Sequence, residues 1–491
     1  MILSHVPSPW TPRPLQVQVL EEAYAAFESG KIFVIVEAPT GTGKSLIAAT
    51  LSRYLGKSYV CTLTKQLQNQ YVDLFYDIGA RVLKGKSSYH CDQAGATCEI
   101  GSERFKDDNR CSPCPYRIAK AAAFAAPMAI CNYASYMWNV NGMQGGIRPL
   151  LVCDEAHTCE ATLLDHISVT VDATTLPIQV DTPIPHALDT EACFEWLVDF
   201  LLVADRTNPQ ELSDKAKKEF DRLVKKATYA LELRHQERWI SESMDRRTGF
   251  VLKPLTVRSF GERLFRYGEK VLLMSATILD PESLADSLGI EDYAYVQAPC
   301  PFPKENRPVI VGSLDMTKKA RASSWPAMVQ QVEMIMEGHD KEKGLILTPS
   351  IEMLKYIVDN LHVSQRNRLV LAYGADRMTA YQRHLDSEEP TVLAAPGLWE
   401  GADLKGDYSR FQIVPAAPRP FWGGQIAARA KIDPRWYRRE TYSQLIQGLG
   451  RSVRDEKDFC TSYVLDVDMR NEARRSDTLI PSWLAEALEF T

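Results

Sequence analysis

The apolar run Ile32-Phe33-Val34-Ile35-Val36 leads directly into Glu37-Ala38-Pro39-Thr40-Gly41-Thr42-Gly43-Lys44-Ser45, and Leu46 to Leu55 then reads as a helix. A buried strand that delivers a glycine-bearing loop into a helix constrains the chain to a sheet with its loop amides facing outward. Those amides and the helix N-terminus form an anion cradle. Gly41 and Gly43 let the backbone approach phosphate oxygens, with Thr40 and Thr42 between and beside them. Lys44 can reach β- and γ-phosphates, and the Ser45 hydroxyl can ligate magnesium. Ala38 stands where the consensus allows glycine. The alternative is a plain glycine turn, which the Lys-Ser offset and the strand and helix flanks argue against.

A second apolar run, Pro149 to Cys153, ends in Asp154-Glu155-Ala156-His157. An open parallel sheet places its ligand chemistry at the carboxyl ends of its strands. There Asp154 can hold magnesium and Glu155 can orient and deprotonate an attacking water. Two solvated carboxylates at a strand end would be the bland alternative. Together with the upstream loop, the pair points to hydrolysis of a nucleoside triphosphate, ATP first among them.

With 491 residues the chain has room for about three domains. A net charge of −6 neither supports nor excludes nucleic acid, because a basic groove can sit on an acidic body. Met1 to Pro14 has no basic or apolar leader pattern, and the alanine-rich run Ala121 to Cys131 is interrupted by Pro127 and too short to span a bilayer. The expectation is a cytoplasmic protein without a membrane partner, nucleoid-associated if the source is bacterial.

In that compartment cysteines serve as thiols, metal ligands or catalysts. Four of the eleven, Cys91, Cys98, Cys111 and Cys114, cluster in a polar segment with little core of its own. A loop of that kind needs a staple. Four thiolates could hold a structural zinc or an iron–sulfur cluster, and the single Cys-x-x-Cys pair leaves these two even. Four reduced surface thiols are the remaining possibility. Cys61, Cys131, Cys153 and Cys460 lie in apolar runs and read as core residues; Cys159, Cys193 and Cys300 have no assigned partner.

Strand-like runs recur at Val271–Met274, Gly344–Leu347, Val392–Ala395, Phe411–Val414 and Ser462–Leu465, alternating with helical stretches as in parallel α/β sheets. The first of them ends in Ser275-Ala276-Thr277. In Gln444 to Arg454, helical spacing places Gln447, Arg451 and Arg454 on one face, a grouping suited to triphosphate oxygens. Between the halves, Glu191 to Trp239 reads as an antiparallel helical insertion with no chemistry of its own.

In this order the motifs resemble those of the superfamily 2 iron–sulfur DNA helicases, the XPD/DinG-like family, across nearly the whole chain. Arg13-Pro14-Leu15-Gln16 resembles the adenine-sensing glutamine motif, and Thr62 to Gln70 resembles motif Ia, which grips nucleic-acid backbone. Leu83 to Cys91 and Cys114 to Lys120 are similar to segments bearing the first and last cluster ligands. Asp154 to His157 resembles the DEAH box, Ser275 to Thr277 motif III, Leu398 to Asp403 motif V, and Gln444 to Arg454 motif VI.

The resemblance implies two RecA-like motor domains carrying an inserted iron–sulfur domain and a short helical arch. The implied segments are motor domain 1 over 1–83, 128–160 and 256–298, the cluster domain over 84–127, the arch over 161–255, and motor domain 2 over 299–491. It implies a [4Fe–4S] cluster on the four clustered cysteines, and 5′ to 3′ movement on single-stranded or forked DNA by a monomer, with DNA repair among its possible uses. Lys44, Asp154, Glu155, Gln447, Arg451 and Arg454 would then be catalytic, Gln16 and the Thr40–Ser45 loop would bind ATP, and Ser45 and Asp154 would hold magnesium. Lys65, Gln66, Lys84, Lys86, Tyr89 and Trp399 would line the DNA path, and Ser275, Thr277, Glu400 and Asp403 would couple the two. The segment between Glu160 and Val271 is short for a full arch, and Cys300 replaces the family's serine before Pro-Phe. Alternatives are a translocase that does not unwind, a DNA-binding adaptor that uses ATP as a switch, and an RNA helicase.

Overall fold

The structure, a computed structural model, describes residues 2–104, 114–142, 146–244, 248–397, 404–453 and 457–491. Two seven-stranded sheets organise the described residues, and every strand pair in both is parallel. The first contains β1 (Phe33–Glu37), β2 (Ser58–Thr62), β3 (Ala80–Leu83), β4 (Met128–Asn132), β5 (Arg148–Asp154), β6 (Gly268–Ser275) and β7 (Tyr293–Gln297), in the order β7-β1-β6-β5-β2-β4-β3. The second contains β8 (Val309–Leu314), β9 (Gly344–Thr348), β10 (Leu369–Leu371), β11 (Val392–Pro396), β12 (Phe411–Val414), β13 (Thr461–Asp466) and β14 (Leu488–Phe490), ordered β10-β11-β9-β12-β13-β8-β14. These are two RecA-like α/β domains.

Both faces of the first sheet are covered, which is why its strands are near-continuous apolar runs. Val34, Val36, Val60, Val152 and Met274 face one core with helices α1 (Pro14–Glu28), α2 (Lys44–Leu55) and α3 (Lys65–Phe75). Ile35, Cys61, Cys131, Cys153 and Leu273 face the other, against α4 (Cys159–Ile167) and the inserted segments. Cys61, Cys131 and Cys153 sit side by side in register across β4, β2 and β5, and all are fully buried, as the apolar runs predict.

The second domain repeats this logic around Leu345, Leu347 and Val464 on one side and Ile346, Phe411 and Ile413 on the other. Three of its helices or their neighbours matter below: α5 (Pro281–Ser287), which still belongs to the first domain, and α6 (Gly424–Ile432) and α7 (Pro434–Leu449) of the second.

Two segments interrupt the first domain. Between β3 and β4 lie a small hairpin, His90–Cys91 with Ala96–Thr97, and helices Cys98–Arg104 and Pro115–Ala125. Between β5 and β6 lie helices Thr190–Arg206 and Asp214–Glu232, packed on a three-stranded antiparallel sheet of Val169–Asp172, Gly249–Pro254 and Trp239–Ser243. The purely helical expectation for this insertion omits that sheet. The strands are short, and only the alternation that buries Phe250 and Leu252 betrays them. No helix among the described residues is long and apolar enough to cross a membrane.

Arg148 fastens the first insertion to the sheet. It is 4% exposed and donates to the carbonyls of Ser58 at 2.6 Å, Phe124 at 2.7 Å, Ala126 at 3.0 Å and Ala123 at 3.3 Å. Its guanidinium also lies over the Tyr59 ring. It thereby satisfies the last carbonyls of the Pro115–Ala125 helix, where a cation is also favoured by the helix dipole. Arg148→Leu leaves those carbonyls unpaired and is expected to cost on the order of 3 kcal/mol, measured by urea unfolding.

Candidate nucleotide-hydrolysis site

The strand order makes the site. β6 pairs with both β1 and β5, placing Glu37 beside Ser275 and Met274 beside Asp154. The carboxyl ends of three adjacent strands therefore carry the glycine loop, Ser275-Ala276-Thr277 and the acidic pair. The loop is sewn to its neighbour where the Ala38 amide donates to the Ser275 carbonyl at 2.9 Å.

Gly41 and Gly43 have φ of +81° and +83°, a left-handed backbone that glycine adopts without a Cβ penalty. Lys44 donates to the Ala38 carbonyl at 3.2 Å, and Thr42 Oγ1 to the Pro39 carbonyl at 2.7 Å. The loop is braced from outside. Arg13 donates to the Gly41 carbonyl and Gln16 Nε2 to the Thr42 carbonyl, both at 2.8 Å, while Gln16 Oε1 accepts the Arg13 amide. The resemblance gives Gln16 to adenine, and its buried amide also props the phosphate loop.

Asp154 and Glu155 sit in different surroundings. Tyr71, on α3, donates its hydroxyl to Asp154 Oδ2 at 3.1 Å, and its phenol is also influenced by the Ser45 hydroxyl, so it lies near both residues suited to magnesium. Tyr133 donates to the Asp154 carbonyl at 2.8 Å. Burial, reinforced by the Glu155 charge, pushes the Asp154 carboxyl up to about 6. Burial also opposes ionisation of Glu155, but Lys44, His157 and Arg451 together outweigh it and hold that carboxyl below its ordinary range. Glu155 has φ +57°, uncommon for a residue with a side chain and found where a site over-determines the backbone. Its neighbour His157 contacts Ser275 Oγ through Nδ1 at 2.7 Å and lies 3.5 Å from Glu155 Oε2.

The second domain closes the group. Gln447 Nε2 donates to Thr277 Oγ1 at 3.1 Å and to Glu155 Oε2 at 3.3 Å. Ser443, one turn earlier on α7, shares a 2.9 Å hydrogen bond with Thr277 Oγ1. Thr40 Oγ1 donates to the Gly450 carbonyl at 3.2 Å. Arg451 is 6% exposed and contributes to the positive field on Glu155. One expectation is corrected: Arg451 does not share a helical face with Gln447, because α7 stops at Leu449. Gly448 and Gly450 are poor helix formers, and a Cβ on Gly450 would come within 2.8 Å of Thr40 Oγ1. Arg454 lies outside the described residues, as do Trp399, Glu400, Asp403 and Cys111.

The residues expected along a nucleic-acid path divide. Lys65 and Gln66 are exposed in the first turn of α3, whose N-cap Thr64 accepts the Leu67 amide. Lys84 bonds Asn69 Oδ1 of the same helix at 2.7 Å, and Lys86 is exposed near Ser102. Tyr89 is committed elsewhere: its hydroxyl accepts the Lys84 amide at 3.1 Å and its ring packs edge-on to Tyr116 at 5.6 Å.

Among the clustered cysteines, Cys98 Sγ and Cys114 Sγ are 4.0 Å apart, and Cys91 is buried on the adjacent hairpin, where a Cβ on Gly101 would touch its sulfur. Burial and the Cys114 thiol push Cys98 up to about 11, the cost of two facing thiolates that a soft cation relieves. The donor chemistry fits a thiolate-held metal. The described residues alone contain no group of three placed to hold one ion.

Several residues of the site carry no motif. Tyr71 is visible only as a tyrosine on the buried face of α3. Glu37 is 2% exposed; it accepts the Tyr295 hydroxyl at 2.5 Å and the Leu279 amide at 3.2 Å, tying the loop's strand to the turn after Thr277. Its one sequence signal is a charge ending an apolar run.

Known proteins share parts of this sequence and this fold. Residues 333–487 match the family model described as a helicase C-terminal domain, and residues 10–176 match that of the type III restriction enzyme res subunit. Each of these two matches falls on one of the two sheet domains. The chain is 27% identical over 246 residues to the probable ATP-dependent helicase YpvA of Bacillus subtilis (strain 168), a match covering 48% of this chain and 37% of that protein. The fold is similar to a solved XPD helicase, with TM-score 0.67 at 15% identity over 98% of this chain and 99% of the other. An apo XPD structure gives TM-score 0.62 at 14% identity, covering 98% of this chain and 100% of that one. The S. tokodaii Xpd4 structure gives 0.59 at 15% identity with the same coverage.

The packing at Gly43 is testable. A Cβ there would fall 2.1 Å from Gln16 Nε2 at a φ of +83°. Gly43→Ala is expected to weaken binding of a fluorescent ATP analogue by about tenfold or more, the equivalent of a left-handed alanine penalty. Adding Gln16→Ala should return the steric part of that loss.

Proposed function

We propose that this chain is an ATP-hydrolysing DNA helicase that moves 5′ to 3′ on single-stranded DNA. The observation that supports it most is Gln447, which reaches across from the second domain to bond Glu155 and Thr277 together. A group from one motor domain thus touches the hydrolytic carboxylate and the coupling segment of the other.

In this reading Lys44 and the loop amides bind the triphosphate, and Arg13 and Gln16 brace the loop against it. Ser45 and Asp154 would hold magnesium, which supplies charge neutralisation on the phosphates. Glu155, kept ionised by Lys44, His157 and Arg451, accepts the proton of the water that attacks the γ-phosphorus. The bond to the β-phosphate oxygen breaks and ADP leaves. Arg451, with Arg454, carries positive charge toward the transferring phosphoryl group. Thr277 bonds both Ser443 and Gln447, so the state of the nucleotide is felt by α7. Ser275, through His157, links Glu155 to β6, and Glu400 and Asp403 are assigned the corresponding coupling role in motif V.

Lys65, Gln66, Lys84 and Lys86 would follow the DNA backbone, with Trp399 as a stacking partner. Cys91, Cys98, Cys111 and Cys114 would hold a [4Fe–4S] cluster that staples the first insertion. The parallel with solved XPD structures is one of fold, and substrate and direction rest on the motif resemblance.

Glu155→Gln is expected to lower DNA-stimulated ATP turnover by about 10²–10⁴-fold while ATP binding persists. A forked duplex with a 5′ tail should be opened by the wild-type chain and not by this variant. Turnover without strand separation would favour a translocase instead, and RNA acting as the better stimulant would favour an RNA helicase. Affinity for oligo(dT) should fall steeply with salt, as backbone contacts require.

Anaerobic purification is expected to give about four irons per chain and a broad visible band. Cys98→Ser should lose both. A colourless protein with one zinc would replace the cluster by a zinc staple.

A further inference from the structure

Behind the nucleotide-facing groups the two motor domains share a second contact that hydrolysis itself does not use. Glu160 lies in the first turn of α4, close behind Glu155 in the chain. Its Oε2 accepts the Trp436 indole N–H at 3.0 Å and the Arg439 guanidinium at 2.7 Å. Its Oε1 lies 3.7 Å from Arg429 Nη2. Exposure is 6% for Glu160, 5% for Arg429, 7% for Trp436 and 3% for Arg439, so the whole set is shut away from water.

The three partners belong to α6 and α7 of the second domain, and these two helices reach further into the first. Arg439 also donates to Ser283 Oγ at 2.9 Å, Arg429 to Ser287 Oγ at 3.3 Å, and Arg435 to Asp280. All of these acceptors lie in α5 or at its N-cap.

Burying a carboxylate and two guanidiniums costs several kcal/mol per ion before pairing recovers it, and a packed apolar contact would often be as stable. What such a network supplies is register: its charge pairs form in one arrangement, and a half-broken one is strongly unfavourable. Its position on α7 gives that register a use. Arg439 and Gln447 are two helical turns apart, about 12 Å along the axis at 1.5 Å per residue. Glu160 pins the near end of the rod, and Glu155 with Thr277 receives the far end. One pin would leave α7 free to swing, whereas two fix its direction and the position of Arg451 just beyond its end.

We propose that Glu160 is a positioning residue for ATP hydrolysis, holding α7 so that Gln447 and Arg451 reach the nucleotide edge only when the second motor domain is docked. This rests on the ATPase reading above.

The test uses the full chain, with ATPase kinetics at saturating oligo(dT) and thermal melting, for Glu160→Gln, Trp436→Phe, Arg451→Lys and the double variant Glu160→Gln/Arg451→Lys. Loss of one charge-assisted contact should lower kcat by about ten- to a hundredfold in Glu160→Gln. KM for ATP should stay within about threefold, because the groups that bind the phosphates are untouched. The double variant should be scarcely slower than Arg451→Lys alone, since both changes act through the same arginine. If Glu160→Gln melts at low temperature, Trp436→Phe, which removes one donor and no charge, should show the same kcat loss on a smaller scale and the same non-additivity. Wild-type kcat in both single variants, a rise in KM with kcat unchanged, or losses that multiply with that of Arg451→Lys would overturn the proposal. A wild-type chain without ATPase would instead overturn the reading of the site, and this proposal with it.

Discussion

Everything at the site depends on β6 lying between β1 and β5. Three parallel strands that end at one level deliver three loops to one edge, and each loop brings a different chemical capacity. β1 brings outward amides and Lys44, β6 brings the hydroxyls of Ser275 and Thr277, and β5 brings two carboxylates. The register fixes their spacing: Glu37 pairs with Ser275 and Met274 with Asp154. Shifting β6 by one residue would turn its apolar side chains to the wrong face, so the core that buries Leu272 to Met274 also enforces the geometry of the site.

That edge is electrostatically unfinished without the second domain. Asp154 and Glu155 are adjacent and secluded, and burial, reinforced by the neighbouring charge, pushes the Asp154 carboxyl up. Glu155 escapes it because Lys44 approaches from its own domain and Arg451 from the other. Docking of the second domain therefore favours the ionised carboxylate that a general base requires. Separation of the domains would withdraw Arg451 and Gln447 together, and the same carboxylate would lose both a cation and a donor. A site built this way is coupled to domain position by charge and hydrogen bonding, before any nucleotide contact is considered.

Much of this was legible in the sequence, and for identifiable reasons. The strand before the glycine loop, the strand before the acidic pair and the later strands of the second sheet are apolar runs bounded by turn residues, and all of them form. Local motifs with fixed chemistry, such as Thr40 to Ser45, carry their conformation with them because glycine at positive φ is needed at Gly41 and Gly43. What was not legible depends on distant partners. Tyr71 reaches Asp154 only after β2 and β5 pair, and Gln16 meets Gly43 only after α1 folds over the loop. The helical face joining Gln447 to Arg451 failed because α7 ends at Leu449 between two glycines, where Gly450 meets Thr40 of the other domain. The small antiparallel sheet of the second insertion was missed because its strands alternate over only a few residues.

The second insertion also bears on how the motor could transmit force. Its edge strand supplies Glu242, which accepts the Gln425 amide at the start of α6, and the Leu255 carbonyl accepts the Gln425 side chain at 2.8 Å. A Cβ on Gly424 would come within 2.1 Å of Glu242 Oε1, so the approach is as close as backbone and side chain allow. On its other side, Lys218 of the Asp214–Glu232 helix pairs with Glu99 of the first insertion. The insertion thus touches the second domain and the cysteine-bearing segment at once. Movement of α6 and α7 relative to the first sheet cannot leave these contacts unchanged: either the insertion follows the second domain, or the Gln425 contacts break.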